Sequence, residues 1–291
     1  MRIGQMTEVW PPGPGHAIVM AMNPETRHQR ARGRAELRLA AAPGGARILH
    51  LFQSAPLRLL FPDADPQEPK QVALVNVAGG LAGGDRLEAQ LHLEAGARLT
   101  ATTPAAEKIY RSLGPRTEIA SSLVIAEGAV CEWLPQETIL FNGAQLTRSL
   151  DIALESGSQL LAAEMLVLGR AARGEVFASG ALADRWRIRR GGRLLWVEAL
   201  KLDAAALPHR FTLDGAGAMA TLVLAMPEAA AHRDLARDLA GGGAGLVAPG
   251  LLVARWLGEA GAVRASLAAA ICALRAAALG LPPALPRLWR A

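Results

Sequence analysis

Four carboxylates stand where a chain would not ordinarily place a charge. Glu164 lies inside Leu160-Leu161-Ala162-Ala163-Glu164-Met165-Leu166-Val167-Leu168, and Glu198 inside Leu194-Leu195-Trp196-Val197-Glu198-Ala199-Leu200. Glu137 follows Trp133-Leu134-Pro135-Gln136, and Asp85 closes the run Ala78-Gly79-Gly80-Leu81-Ala82-Gly83-Gly84. Removing an ionised carboxylate from water costs several kcal/mol unless it is paired or bound to a metal, so each of these acids needs a partner. Arginine is one candidate: Arg86, Arg111, Arg148 and Arg170 lie in the same segments. The other is a hydrated passage, in which carboxylates and water hold a divalent cation loosely because no thiolate contributes. Loose coordination suits transfer better than storage.

Other chemistries lack their signatures. The glycine-rich run before Asp85 has no Lys-Ser/Thr and leads toward a strand, unlike a phosphate-cradling loop. There is no Gly-x-Ser-x-Gly elbow, and no His-x-His or His-Glu-x-x-His pair, while the six histidines are scattered. A glycan-cleaving site using Asp85, Glu137 and Lys108 would call for aromatic sugar platforms, and aromatic residues make up only 4% of the chain.

The elements that would position the acids are short runs parted by glycine, proline or acidic turns. From about residue 31 the runs Ala35–Ala40, Ala46–Phe52, Val72–Asn76, Arg86–Leu93, Arg98–Thr102, Glu118–Ile125, Val130–Leu134, Thr147–Leu154, Gln159–Leu168, Arg185–Arg189 and Arg193–Leu202 read as strands. Leu93-Glu94-Ala95-Gly96-Ala97, Ile125-Ala126-Glu127-Gly128-Ala129 and Leu154-Glu155-Ser156-Gly157-Ser158 share one pattern, with glycines 32 and 29 residues apart. Gly191-Gly192 is a degenerate fourth member. A period near 30 points to stacked turns of a β-solenoid; ordinary hairpins with a left-handed glycine would leave the same mark.

The last quarter changes character. Thr221–Met226 reads as a strand, Glu228–Ala240 as a helix between Pro227 and three glycines, Leu246–Trp256 as one or two strands, and Ala265–Leu279 as a helix with Leu267, Ile271, Leu274 and Ala278 on one face. The expected organisation is a loose arm over residues 1–30, a β-helical body over 31–218, and a strand and helix portion over 219–291 packed on the same body. The fold class is therefore mainly β, solenoid-like, with two α-helices in the C-terminal quarter. The tail Leu285-Pro286-Arg287-Leu288-Trp289 would dock a partner if exposed and close the core if buried.

Composition bounds the setting. The 291 residues are 51% hydrophobic, enough for a sizeable core, and the net charge of +5 is spread along the chain, unlike the concentrated basic face of a nucleic-acid binder. Cys131 and Cys272 form no Cys-x-x-Cys pair, which fits a reducing compartment. Met1–Met22 reads as neither signal peptide nor anchor, and no run of about 18 apolar residues follows. A soluble cytoplasmic protein, without membrane or nucleic-acid partners, is the expectation.

Several strings taken together resemble one family, the urease accessory proteins UreD (UreH in some systems). They are Gln53-Ser54-Ala55-Pro56-Leu57-Arg58, Asn76 with Gly79 to Asp85, Glu107-Lys108-Ile109-Tyr110-Arg111-Ser112, Glu132-Trp133-Leu134-Pro135-Gln136-Glu137-Thr138-Ile139-Leu140-Phe141, Leu168-Gly169-Arg170 with Gly174-Glu175, and the Leu285 to Trp289 tail. They run in family order from about residue 30 to the C-terminus.

The resemblance implies a β-helical chaperone that joins UreF and the GTPase UreG on the urease apoprotein and helps deliver Ni(II), which it holds only in transit and without a tightly bound cofactor. A hydrated tunnel is the route that the family suggests, with Asp85, Glu164 and Glu198 along it; Glu137 joins them from its own setting. Tyr110, Arg111, Arg287, Leu288 and Trp289 are the candidate partner-binding residues. A purely structural adaptor with arginine-paired acids is the alternative, and a homodimer within the activation complex is left open.

Overall fold

A computed structural model describes residues 30–290 except Gly44, Pro66, Pro208, Arg210 and Phe211. The expected arm over residues 1–30 lies outside the described residues, save Arg30. The described residues form two sheets. The first holds β1 (Arg32–Ala42), β2 (Gly45–Ser54), β5 (Arg86–Leu93), β8 (Thr117–Ile125), β11 (Gln145–Leu154), β13 (Ala181–Arg190) and β14 (Arg193–Asp203), in the order β14-β13-β11-β8-β5-β1-β2. The second holds β3 (Leu57–Leu60), β4 (Lys70–Asn76), β6 (Arg98–Thr102), β9 (Val130–Leu134), β12 (Gln159–Leu168), β15 (Ala218–Ala225), β16 (Ala244–Ala248) and β17 (Leu251–Gly258), in the order β16-β17-β15-β12-β9-β6-β4-β3. Two short strands, β7 (Glu107–Ile109) and β10 (Thr138–Leu140), extend the second sheet beside β12.

The solenoid arises because the chain alternates between the sheets. It runs β5 to β6, then β8 to β9, then β11 to β12, and successive strands within each sheet pair in parallel. The repeated glycine turns are its corners. Gly96, Gly128 and Gly157 have φ of 70°, 65° and 66°, and they stack: the Gly96 N–H donates to the Glu127 carbonyl at 3.0 Å and the Gly128 N–H to Ser156 at 3.4 Å. The fourth member behaves differently. Gly191 donates to the Leu154 carbonyl at 2.9 Å and so joins the stack, but Gly191 and Gly192 are both left-handed and turn the chain back as the β13–β14 hairpin. Coiling stops there.

Two cores result. Leu91, Leu123, Ile125, Leu154 and Leu160 fill the space between the sheets. On the outer face of the second sheet, Leu161, Ala163, Met165 and Leu222 pack under the helix α2 (Ala260–Leu279) through Leu267, Ile271 and Leu274. Strands β12 and β15 are thus covered on both faces, which explains their continuous apolar sequences. Helix α2 is long and apolar enough to cross a membrane, and its apolar face is spent on this sheet. It starts five residues before the expected Ala265 because the Glu259 carboxylate accepts the Ala262 N–H at 3.0 Å and caps it. The expected helix over Glu228–Ala240 is instead a 3-10 turn, Ala229–His232, followed by α1 (Arg233–Leu239). Leu246–Trp256 resolves into the two strands β16 and β17.

Strand cover differs with position. Strand β2, at the edge of the first sheet, presents Ile48, Leu49, Leu51 and Phe52 to solvent, whereas every residue of β15, inside the second sheet, is buried.

Candidate functional site

Register brings the acids together. Parallel pairing of β11 with β13 sets Arg148 beside Asp184, and antiparallel pairing of β12 with β15 sets Glu164 beside Thr221. Arg148 and Asp184 come from the first sheet and Glu164 from the second, and the three meet between the sheets, each with under 10% of its surface exposed. The guanidinium forks onto Asp184, Nε to Oδ1 at 3.0 Å and Nη2 to Oδ2 at 2.6 Å. The same Nη2 lies 3.0 Å from Glu164 Oε2, an ion contact without hydrogen-bond alignment, while Nη1 donates to Thr138 Oγ1 at 3.2 Å. The Trp133 indole N–H donates to Glu164 Oε1 at 3.1 Å.

The charge balance of this group is uneven, two carboxylates against one guanidinium. Burial pushes the Glu164 carboxyl above the ordinary range; Arg148 pulls against that shift and the neighbouring Asp184 adds to it. Burial also works against the Arg148 charge, but Asp184 and Glu164 more than offset it and hold the guanidinium firmly protonated.

Two cavities adjoin here, and Arg148 and Glu164 line both. The first, of about 80 Å³, reaches from Leu87, Trp133 and Thr138 to the half-buried Asn76, Thr103, Glu107 and Gln136. The second, of about 10 Å³, runs past Asp184, Trp186 and Thr221 to Glu198. A water needs roughly 10–15 Å³ of such space, so the first has room for several waters and the second for about one. Burial raises the Glu107 carboxyl to about 7, against the hydrogen bond from Asn76 Nδ2 at 3.0 Å. Among the described residues, no three or more His, Cys, Asp or Glu side chains converge as a resident metal centre would require.

The sequence-predicted acids part company. Glu164 lines both cavities, and Glu198 lines the second and pairs with Arg255 of β17. Asp85 lines neither. Its carboxylate accepts the Ala31 N–H at 2.9 Å and the Ala82 N–H at 2.8 Å, and so ties the glycine-rich turn to the start of β1. Glu137 also lines neither cavity; it pairs with Arg264 on α2. Arginine is therefore the partner of three of the four acids, although of the four arginines named in advance only Arg148 serves. Arg86 and Arg170 pair with Glu88 and Glu175 instead.

Of the candidate partner-binding residues, Trp289 is buried. Its indole N–H donates to the Leu134 carbonyl at 2.8 Å and lies 3.2 Å from Thr102 Oγ1, and Arg264 stacks on its ring at 4.9 Å. The Leu288 carbonyl accepts from Gln136 Nε2 at 3.0 Å, so the tail closes the core, and Arg287 alone of the three is exposed. Tyr110 and Arg111 are exposed; Tyr110 stands edge-on to Phe141 at 5.1 Å and donates to the Gly79 carbonyl at 3.2 Å.

Asp184 and Glu107 escaped the sequence reading. The strand expected to begin at Arg185 begins at Ala181, and extending its alternation through Leu182, Trp186 and Ile188 would have placed Asp184 on the buried face. Glu107 sits in a three-residue strand, too short for periodicity.

The family model described as UreD urease accessory protein matches residues 31–290. The chain belongs to the UreD family. The UreD protein of Granulibacter bethesdensis is 48% identical over 238 residues, covering 79% of this chain and 99% of the relative. "Urease accessory protein UreD 2" of Methylorubrum populi is 41% identical over 302 residues, covering 97% and 99%. The UreD of Rhizobium rhizogenes is 39% identical over 270 residues, covering 91% and 97%. The UreD match begins at residue 31, one residue before β1, and takes in both sheets and both helices.

Proposed function

We propose that this chain is a non-catalytic scaffold of urease maturation that binds the urease apoprotein together with UreF and UreG in the cytoplasm. In this role it passes Ni(II) along the line Glu107, Glu164, Asp184, Glu198. Membership of the UreD family supports the maturation role. The observation that carries the nickel route is the meeting of two cavities at Glu164, each with a further carboxylate in its wall. Oxygen ligands of this kind bind Ni(II) weakly and release it readily, as transfer requires. Asp85 and Glu137, engaged elsewhere, are left out of the route.

The test is nickel loading of urease in a reconstituted system with UreF and UreG. Glu164→Gln and Glu198→Gln are each expected to slow loading by about tenfold while the complex still assembles, as judged by gel filtration. Unchanged loading with both replaced would remove the route and leave the purely structural adaptor. A chain that pulls down neither UreF nor urease apoprotein would remove the scaffold itself.

A further inference from the structure

The Arg148 guanidinium stands where the two cavities adjoin, and all three of its nitrogens are engaged, by Asp184, Glu164 and Thr138. Among the described residues lining the two cavities it is the one cationic side chain. A cation moving past Glu164 therefore meets a cation already seated there.

We propose that Arg148 is a displaceable stopper that makes the passage selective for divalent ions, an inference that rests on the nickel route above. The argument is one of charge and geometry. A monovalent ion replacing the guanidinium brings the same charge and gives up the forked hydrogen bonds, so it gains nothing. A divalent ion brings twice the charge to Glu164 and Asp184 where water is scarce and Coulomb terms are large, and it can displace the guanidinium. The displaced side chain has somewhere to go. The first cavity, which Arg148 already lines, has room for several waters and holds Glu107, a carboxylate with no ion-pair partner within 4.0 Å among the described residues. Arg148 thus has a closed position between Glu164 and Asp184 and an open one toward Glu107. It acts as a positioning and selectivity residue.

The experiment is equilibrium dialysis of the full-length chain against Ni(II) in excess NaCl. Compared are the natural chain, Arg148→Met, Arg148→Lys and the double variant Arg148→Met/Glu164→Gln, with folding followed by circular dichroism. Without the stopper, Arg148→Met is expected to bind Ni(II) at least about tenfold more tightly than the natural chain, and the double variant to lose that gain. Raising NaCl is expected to compete with Ni(II) more effectively in Arg148→Met than in the natural chain. Equal Ni(II) affinity in folded Arg148→Met and the natural chain overturns the stopper. If Arg148→Met does not fold, Arg148→Lys decides: its single-point ammonium grips the acids less well, so a gain in Ni(II) affinity supports the stopper and no gain overturns it. The route is judged separately by urease loading with Glu164→Gln. Slowed loading there with no gain in the Arg148 variants keeps the route and removes the stopper, whereas normal loading removes both.

Discussion

Glu107 and Glu164, two carboxyls that burial raises, have different neighbours, and so different consequences. Among the described residues Glu107 has a hydrogen bond from Asn76 and no guanidinium partner, and its carboxyl is held up at about 7. A carboxyl raised on folding favours the native state while protonated, so its stabilising effect is greatest below the unfolded value near 4.5 and is lost as pH climbs to about 7. Replacing Glu107 with Gln is expected to flatten stability over that window and to raise it at pH 8 by up to about 3 kcal/mol, at about 1.4 kcal/mol per pH unit. Urea titrations at pH 5 and pH 8 measure it; an equal change at both values would contradict the assignment. Glu164 is raised as well, so Glu164→Gln, which keeps an acceptor for Trp133, is expected to leave the melting temperature at pH 7 unchanged or higher. A large drop would mean that the Glu164 charge stabilises the native state. At this scale the apolar setting of Glu164 and Glu198 was legible, because a lone acid in a hydrophobic run announces a partner. Which partner was not: Arg255 lies 57 residues from Glu198, and no local pattern links them.

Elements are joined by charge as well as by apolar packing. Arg275 of α2 is fully buried and ties the helix to the second sheet and to the tail. Its Nε donates to Glu132 Oε1 at 2.7 Å, it pairs with Glu68, and Nη1 donates to the carbonyls of Ala284 and, at 3.3 Å, Pro282. Glu132 Oε2 accepts from Thr100 Oγ1 at 2.5 Å and from Arg275 Nη2 at 3.2 Å. Arg275→Met leaves Glu132 and Glu68 buried without a counter-charge and is expected to cost about 3–5 kcal/mol, measured by urea unfolding. Gly169, where the chain leaves β12, has φ of 80°, and a Cβ there would stand 2.5 Å from the Glu175 carbonyl oxygen. Gly169→Ala is therefore expected to destabilise by about 1–3 kcal/mol, and a neutral result would mean that the 169–177 turn rearranges freely. Trp289→Ala is expected to cost about 3–5 kcal/mol in the isolated chain, with no partner present. A tail serving only as a docking peptide would leave isolated stability untouched.

The whole molecule is a short solenoid whose two ends are closed by different means. At the β14 end the Gly191-Gly192 hairpin halts the coiling, and on the second sheet β15, β17 and β16 continue as antiparallel strands under α2. At the other end β1 folds back on β2, an edge strand whose apolar side chains stay in water. Because Leu49 and Leu51 are over 40% exposed, replacing each with Thr is expected to change stability by no more than about 0.5 kcal/mol in the isolated chain. A larger loss would show that the edge is covered within the chain.

Taken alone, the amino-acid sequence determined the β-rich body, the roughly thirty-residue coil, both C-terminal helices and the family, because each is written in short-range signals: alternation, a glycine obliged to turn left-handed, an apolar helical face, a string of matched residues. The tertiary structure alone decided that Asp85 braces a turn, that Glu137 pairs with a helix, that Trp289 is core, and that Asp184 and Glu107 join Glu164. Those outcomes depend on which side chains two separate sheets turn toward each other across a shared interior. Strand register and the solenoid's rise set that meeting, and both emerge only when distant segments pack.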